Sequence, residues 1–478
     1  DANSIKNLAG SIFQNWYLYN VGYEDTPAFM FGTAADATSS SWGNFAMQDM
    51  SYEPRRAWNN SPSYVNASMT EGNFNNMYSL LSQSNDVLRV IKEDSTISAE
   101  LGNDKMMVKA VAKLGQGVAL GYIGLVFDQG YIVKEDVDVT EENVELESYK
   151  ELIEASIRSL DQAISIARNN SFKIPDEWIN GVSMDNLKFY RLANFMAAKI
   201  LLSEPRTEEE NANIDRWRKI KDYAINGLDQ DYTITADNSV GSWASQYHFY
   251  ATYTTWSRVD MRVVNMLDTT ELPPVWPEEY EGDHTKFPNN GLAYSPDERL
   301  IKDFKYMDTH FFSPERGYYH YSTYRYQRFD NLRRTGFPGQ GEIPLYRKAE
   351  NDYMLAEAYA RINKPGLALN ILNDPNNARI RRGGNGMKIN ESSATKQDIL
   401  DAIFYERTIE LFSHNLGIQF FDMRRFDKLQ KGTPLHMPIP GAEFQTLQKN
   451  IDTHGGVENA GSENTADAGW KEAYESSN

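Results

Sequence analysis

Between Pro344 and Leu372 small and apolar residues recur every three or four positions, pause at one proline, and resume. Leu345, Ala349, Tyr353, Ala356 and Ala360 therefore share one face of a helix, and the alanines on that face let a second helix approach closely. Pro365 occupies a position that a helix's first turn tolerates, and Leu367, Ala368, Ile371 and Leu372 carry the pattern onward. Two helices joined so tightly make one unit of a tetratricopeptide-like stack. A third helix opens at Thr395, which stands at near-capping-box spacing from Asp398, and carries Ile399, Ile403, Glu406, Arg407, Glu410 and Leu411.

The same period runs through Phe74, Met77, Leu81, Leu88 and Ile91, then through Met107, Val111, Leu114, Val118, Tyr122 and Leu125. It returns at Tyr149, Ile153, Ile157, Leu160 and Ile164, with further candidates over 187–202 and 214–228. Paired in order, these segments make about four helical hairpins of unequal length, a stack without a regular repeat. Gly115, Gly117 and Gly121 fall inside a helical period with no strand before them, so they fit close helix packing and not a phosphate-binding loop. The fold expected is mostly α, with tetratricopeptide-like hairpins, long aromatic-rich loops and a few short strands, in one domain over 1–478.

Two long stretches interrupt the helices, and loops of such length are commonly functional. The first, 22–67, holds Trp42, Asn44, Arg55, Arg56, Trp58, Asn59 and Tyr64. The second, 233–343, holds Tyr247, Tyr250, Tyr253, Trp256, Trp276 and Tyr280, with Trp276 stiffened between Pro274 and Pro277. Trp and Tyr rings stack on the apolar faces of sugars while Asn and Arg bond their hydroxyls; alternatively the rings pin an irregular loop to the helices. Tyr318, Tyr319, Tyr321, Tyr324 and Tyr326 alternate in part like a half-buried strand. Residues 452–478, rich in Gly, Asn, Glu and Ser, suggest a coil tail.

Charge and composition exclude several functions. With 48 Lys and Arg against 67 Asp and Glu the net charge is −19, which argues against a general nucleic-acid binder. There is no cysteine, hence no disulfide, thiolate metal site or thiol nucleophile. His248, His284, His310, His320, His414, His436 and His454 form no HExxH or other short metal motif, and neither a GxSxG elbow nor a P-loop occurs. No cofactor is expected; loop Asp and Asn oxygens are compatible with a structural calcium, though no EF-hand spacing marks one. The pairs Arg333–Arg334, Arg381–Arg382 and Arg424–Arg425 are expected to meet carboxylates of the chain, and Glu357, Glu406, Arg407 and Glu410 to form an ion network between helices.

One ordered set of signals adds to this. The Ala356-Glu357-Ala358 helix, the Glu406-Arg407-x-x-Glu410-Leu411 turn, Phe421-Asp422-x-Arg424-Arg425 and Pro438-Ile439-Pro440 follow one another as in the SusD/RagB family, which the chain resembles. The resemblance implies a non-catalytic, surface-exposed outer-membrane lipoprotein that captures glycan for a SusC-like TonB-dependent transporter. It implies ligand-facing loops over 22–67 and 233–343, and it favours binding by Trp58 and its neighbours. The candidate contacts are Trp42, Asn44, Arg55, Trp58, Asn59, Tyr64, Tyr253, Trp256, Trp276 and Tyr280. The family's lipid sits on a processed N-terminal cysteine, so this chain is expected to be a soluble form without the anchor. Peptide binding by a RagB-like protein, or a glycan hydrolase or lyase with paired carboxylates, are the rival functions.

Overall fold

The computed structural model describes residues 1–23, 26–52, 55–137, 144–269, 292–309, 321–384, 389, 393–430 and 432–451. Among them, the longer helices are Ala2–Tyr17, Ser68–Glu93, Lys105–Val126, Tyr149–Asn169, Asn186–Ser203, Ile214–Ile225, Lys348–Arg361 and Lys396–Glu410. The first packs on the second and third, and from there each helix packs on its successor in chain order. Pro365–Leu372 docks on Lys348–Arg361 as the hairpin expected from Pro365. This succession of neighbouring pairs is what helical hairpins laid side by side produce.

Small residues set the spacing of the stack. At Gly117 a Cβ would lie 2.6 Å from Leu160 Cγ and 3.1 Å from the Ser156 carbonyl oxygen. The helix Lys105–Val126 is thereby pressed onto Tyr149–Asn169. Gly117→Ala is expected to destabilise the fold by ~1–2 kcal/mol, overpacking outweighing the gain in helix propensity. Urea unfolding checks this, and the midpoint should fall.

Helix termini follow their caps. Ser148 and Glu151 form a reciprocal capping box, as do Thr395 and Asp398. One expected boundary is corrected: Leu345 does not belong to the helix. Gln340–Tyr346 is a strand, paired antiparallel with Tyr232–Asp237, and the helix begins only at Lys348. Leu345 is buried all the same, so the core accepted it from a strand as readily as from a helix. This ladder brings the chain back, after its excursion through 238–339, to a helix lying on Ile214–Ile225.

The two interrupting stretches carry more regular structure than their composition suggests. Short helices Ala28–Ala34, Gln246–Thr252 and Met261–Leu267 punctuate them, and Thr38–Ser40 pairs antiparallel with Ser257–Val259. Tyr324–Tyr326 is indeed a strand, but a fully buried one.

Basic and acidic side chains between the C-terminal helices form two buried networks. Glu410, with no exposure, pairs with Arg347, Arg328, Arg382 and Arg299, and Arg299 also meets Glu406 and Asp297, each at 2.6 Å. Glu357 takes Arg425 through two bonds of 2.6 and 2.8 Å and Arg361 at 2.8 Å, while Asp422 joins Arg425 to Arg407. Arg424 departs from the expected carboxylate pairing: its guanidinium donates to the carbonyls of Leu125, Leu435 and Ser203. It ties two helix ends and a loop instead of neutralising a charge.

Candidate ligand-binding site

The ladder between Thr38–Ser40 and Ser257–Val259 sets the turn after Ser40 beside the segment after Thr252. Ser41 extends it, its backbone N–H donating to the Trp256 carbonyl at 2.9 Å. The turn itself is tight: Gly43, Phe45 and Ala46 have φ of 67, 55 and 57°, a left-handed region that side chains other than glycine's enter at a cost. Ser40 Oγ helps to hold it, accepting from the N–H groups of Trp42 and Gly43 at 3.2 Å.

Tyr250, on the helix Gln246–Thr252, is the hub of the site. Its hydroxyl lies 2.6 Å from Ser40 Oγ and donates to Asn44 Oδ1 at 2.8 Å, which fixes the amide of Asn44. Its ring meets Phe29 edge-on at 5.1 Å and Trp256 at 5.3 Å. Trp256, half-buried, is stacked on Tyr253 with centroids 4.0 Å apart. Phe45 packs against Phe29 at 4.7 Å, and Phe249 meets Phe337 edge-on at 5.1 Å.

These contacts enclose a pocket of about 360 Å³ lined by Phe29, Trp42, Asn44, Phe45, Gln246, Tyr250, Trp256 and Phe337. The size and the aromatic walls are those of a small-ligand site. Trp42 is 53% exposed and Phe337 49%, so two rings stand at the rim where an arriving ligand meets them. The lining offers ring faces, two side-chain amides and one committed tyrosine hydroxyl. Its chemistry is stacking and hydrogen bonding.

The candidate residues divide sharply. Trp42, Asn44 and Trp256 line the pocket, and Tyr253 backs Trp256. Arg55, Trp58, Asn59 and Tyr64 do not line it. Arg55 is corrected outright: it is buried, bonded to the Met50 carbonyl and paired with Asp36 at 2.6 Å, so its charge serves the interior. Trp58 is 8% exposed and meets Tyr64 edge-on at 5.3 Å, which makes it the pin of its loop. Asn59 Oδ1 accepts the Ser61 N–H at 3.1 Å. Burial raises the Tyr64 hydroxyl's pKa, and its hydrogen bond with Asp49 raises it further. Trp276 and Tyr280 lie outside the described residues. Phe29, Phe45, Gln246, Tyr250 and Phe337 complete the wall; of these only Tyr250 stood in an aromatic run of the sequence. Among the described residues no group of three or more His, Cys, Asp or Glu could hold a metal ion.

The family model for the SusD family matches residues 251–476. No functionally curated protein matches the chain. Solved structures match nearly its whole length. A SusD-like carbohydrate-binding protein from Bacteroides fragilis NCTC 9343 is 14% identical, with 96% of this chain and 93% of that one covered and a TM-score of 0.60. A SusD superfamily protein from Bacteroides thetaiotaomicron VPI-5482 is 14% identical over 92% and 93% of the two chains, with a TM-score of 0.58. A third, crystallised with a xylogluco-oligosaccharide, is 15% identical over 88% and 82%, with a TM-score of 0.55. The SusD family's own model thus matches residues 251–476, and the fold of SusD-like proteins is shared along almost the whole chain.

Proposed function

We propose that this protein captures glycan at the outer-membrane surface, without cleaving it, and delivers it to a SusC-like TonB-dependent transporter. The observation that carries the reading is the aromatic pocket, with Trp42 at its rim and the stacked Tyr253–Trp256 pair at its wall. A pyranose ring presents apolar C–H faces and a girdle of hydroxyls, and the pocket answers with ring faces and amides. Stacked pairs such as Tyr253 and Trp256 arrive preordered, so little side-chain entropy is lost on binding. Names given to solved relatives support the same ligand class: one is called carbohydrate-binding, and another was crystallised with a xylogluco-oligosaccharide.

Among the described residues no helix is long and apolar enough to cross a membrane. Attachment through a lipid, as in the family, is part of the proposal, as is the transporter partner. Co-purification of the full-length protein with a TonB-dependent transporter from solubilised outer membranes is the expected result for delivery; recovery without one would overturn that part.

Titration with a panel of soluble polysaccharides, following tryptophan fluorescence and reducing ends together, tests capture. Quenching without new reducing ends is expected. Trp42→Ala and Trp256→Ala should each weaken binding about tenfold or more, ~1.4 kcal/mol. Trp58→Ala should lower stability and leave affinity unchanged. Release of new ends, or equal affinities in all three variants, would overturn the reading.

A further inference from the structure

We infer that the pocket selects an uncharged sugar unit, and that Gln246 is the residue that reads its hydroxyls; this rests on the glycan-binding reading above. Gln246 enters from the first turn of the helix Gln246–Thr252 and is 6% exposed. Its Oε1 is sealed within the wall and accepts no hydrogen bond. A buried carbonyl without a donor costs stability, so its presence in the lining of an otherwise aromatic pocket marks a group kept for a ligand. The carboxamide turns about a broad torsion, which exchanges Oε1 and Nε2 at the pocket face. Gln246 can therefore accept from a sugar hydroxyl or donate to one. Opposite in character stands Asn44: Tyr250 holds its Oδ1, leaving Nδ2 to donate from a fixed position.

Charge selection follows from where the cations are. None of the eight lining residues is charged. Three buried arginines of the flanking segments, Arg55, Arg258 and Arg262, are committed elsewhere. Arg55 is paired with Asp36. Arg258 donates to the carbonyls of Thr254, Ser257 and Thr309, and Arg262 to the carbonyl of Asp36. A uronic carboxylate or sulfate entering this pocket would exchange water for ring faces, with no cation in the lining to replace the lost solvation. The chain's net charge of −19 adds a long-range repulsion that acts before contact.

The test sets neutral oligosaccharides (xyloglucan, galactan, mannan and starch fragments) against oligogalacturonate, alginate and heparin fragments, by calorimetry at low and at physiological salt. Binding is expected only among the neutral members, with an affinity that salt leaves unchanged. Preference for an anionic member, weakening with salt, would overturn the inference. Gln246→Leu keeps the volume and removes the amide, and should lower affinity for the neutral ligand about 10- to 100-fold without lowering the melting temperature. Should that variant misfold, Asn44→Ala at its exposed position is expected to lose affinity in the same direction. Wild-type affinity in either folded variant, with binding lost in Trp42→Ala, would sink the role of the amides and spare the glycan site. Failure of every panel member to bind would sink both.

Discussion

Replacing Glu410 with Ala is expected to cost ~3–5 kcal/mol, a large part of the ~5–15 kcal/mol by which domains are held folded. The carboxylate is fully buried and receives Arg347, Arg328, Arg382 and Arg299 from four separate segments. Burial alone would raise its pKa; the four guanidiniums outweigh it and hold the group ionised well below the usual carboxylate range. Removing it leaves cations facing one another away from water, which is far worse than losing a contact. Urea unfolding of Glu410→Ala should show the loss, or the variant should fail to accumulate in soluble form. Glu298→Ala is the control: its pair with Lys302 is short, at 2.6 Å, but lies in solvent, and should cost less than ~1 kcal/mol. Equal effects in the two variants would show that burial does not govern these pairs.

A second large effect is expected from acid, in two stages with different owners. His248 is buried: its Nε2 donates to the His414 carbonyl at 2.8 Å and its Nδ1 lies 2.5 Å from Ser245 Oγ, an arrangement that suits the neutral ring. Burial pushes its pKa down to about 4, against a small opposing pull from the His414 carbonyl. His414 is pushed down too, by burial first and then by Arg347, His248, Lys199 and Arg328 nearby. Both folded values lie below the unfolded one, so the unfolded chain binds more protons once the pH drops below about 6.5. Stability should therefore fall with pH across that window, by ~1.4 kcal/mol per pH unit for each histidine. Glu357 takes over below. Burial would raise it, and Arg425 and Arg361 reverse that to about 2, so its contribution is lost as the pH falls from the ordinary glutamate range toward 2. Denaturation midpoints measured between pH 7.5 and 3 check this. His248→Gln should roughly halve the slope of the upper window and leave the lower one intact; an unchanged upper slope would refute the assignment.

The helices were legible because their signal is local. Phe74 to Ile91 and Met107 to Leu125 repeat over several turns, and no tertiary contact is needed to see the period. The glycines of the 105–126 helix were placed correctly for the same reason: their neighbours were already periodic. Leu345 was misplaced because three residues of a strand can match a helical face by chance, and the deciding partner, Tyr232, is far away in sequence. Half of the site was hidden for a related reason. Trp42, Asn44 and Trp256 carried side chains that announce binding, whereas Phe29, Phe45 and Gln246 carried none that distinguishes a wall from a core. Trp58 and Arg55 carry side chains as apt for binding as those lining the pocket, and their burial, which no residue type encodes, sets them apart. Phe337 alone had a local cue, standing before Pro338 and Gly339 in a turn, yet nothing there pointed toward Phe249.

Ser40 and Tyr250 are 210 residues apart along the chain, and the whole pocket hangs from the contact between them. Closing so long a loop is paid in chain entropy before any local contact rewards it, and folding slows as contacts grow more distant in sequence. The hairpins can form as the chain is made; the pocket cannot, because its two edges leave the ribosome far apart in time. A fragment ending anywhere before Gln246 would be rich in helix and lack the pocket. If the pocket binds glycan as proposed, ligand binding is a stricter assay of the native state of this protein than its circular dichroism, since it requires a long-range junction that the local helices do not.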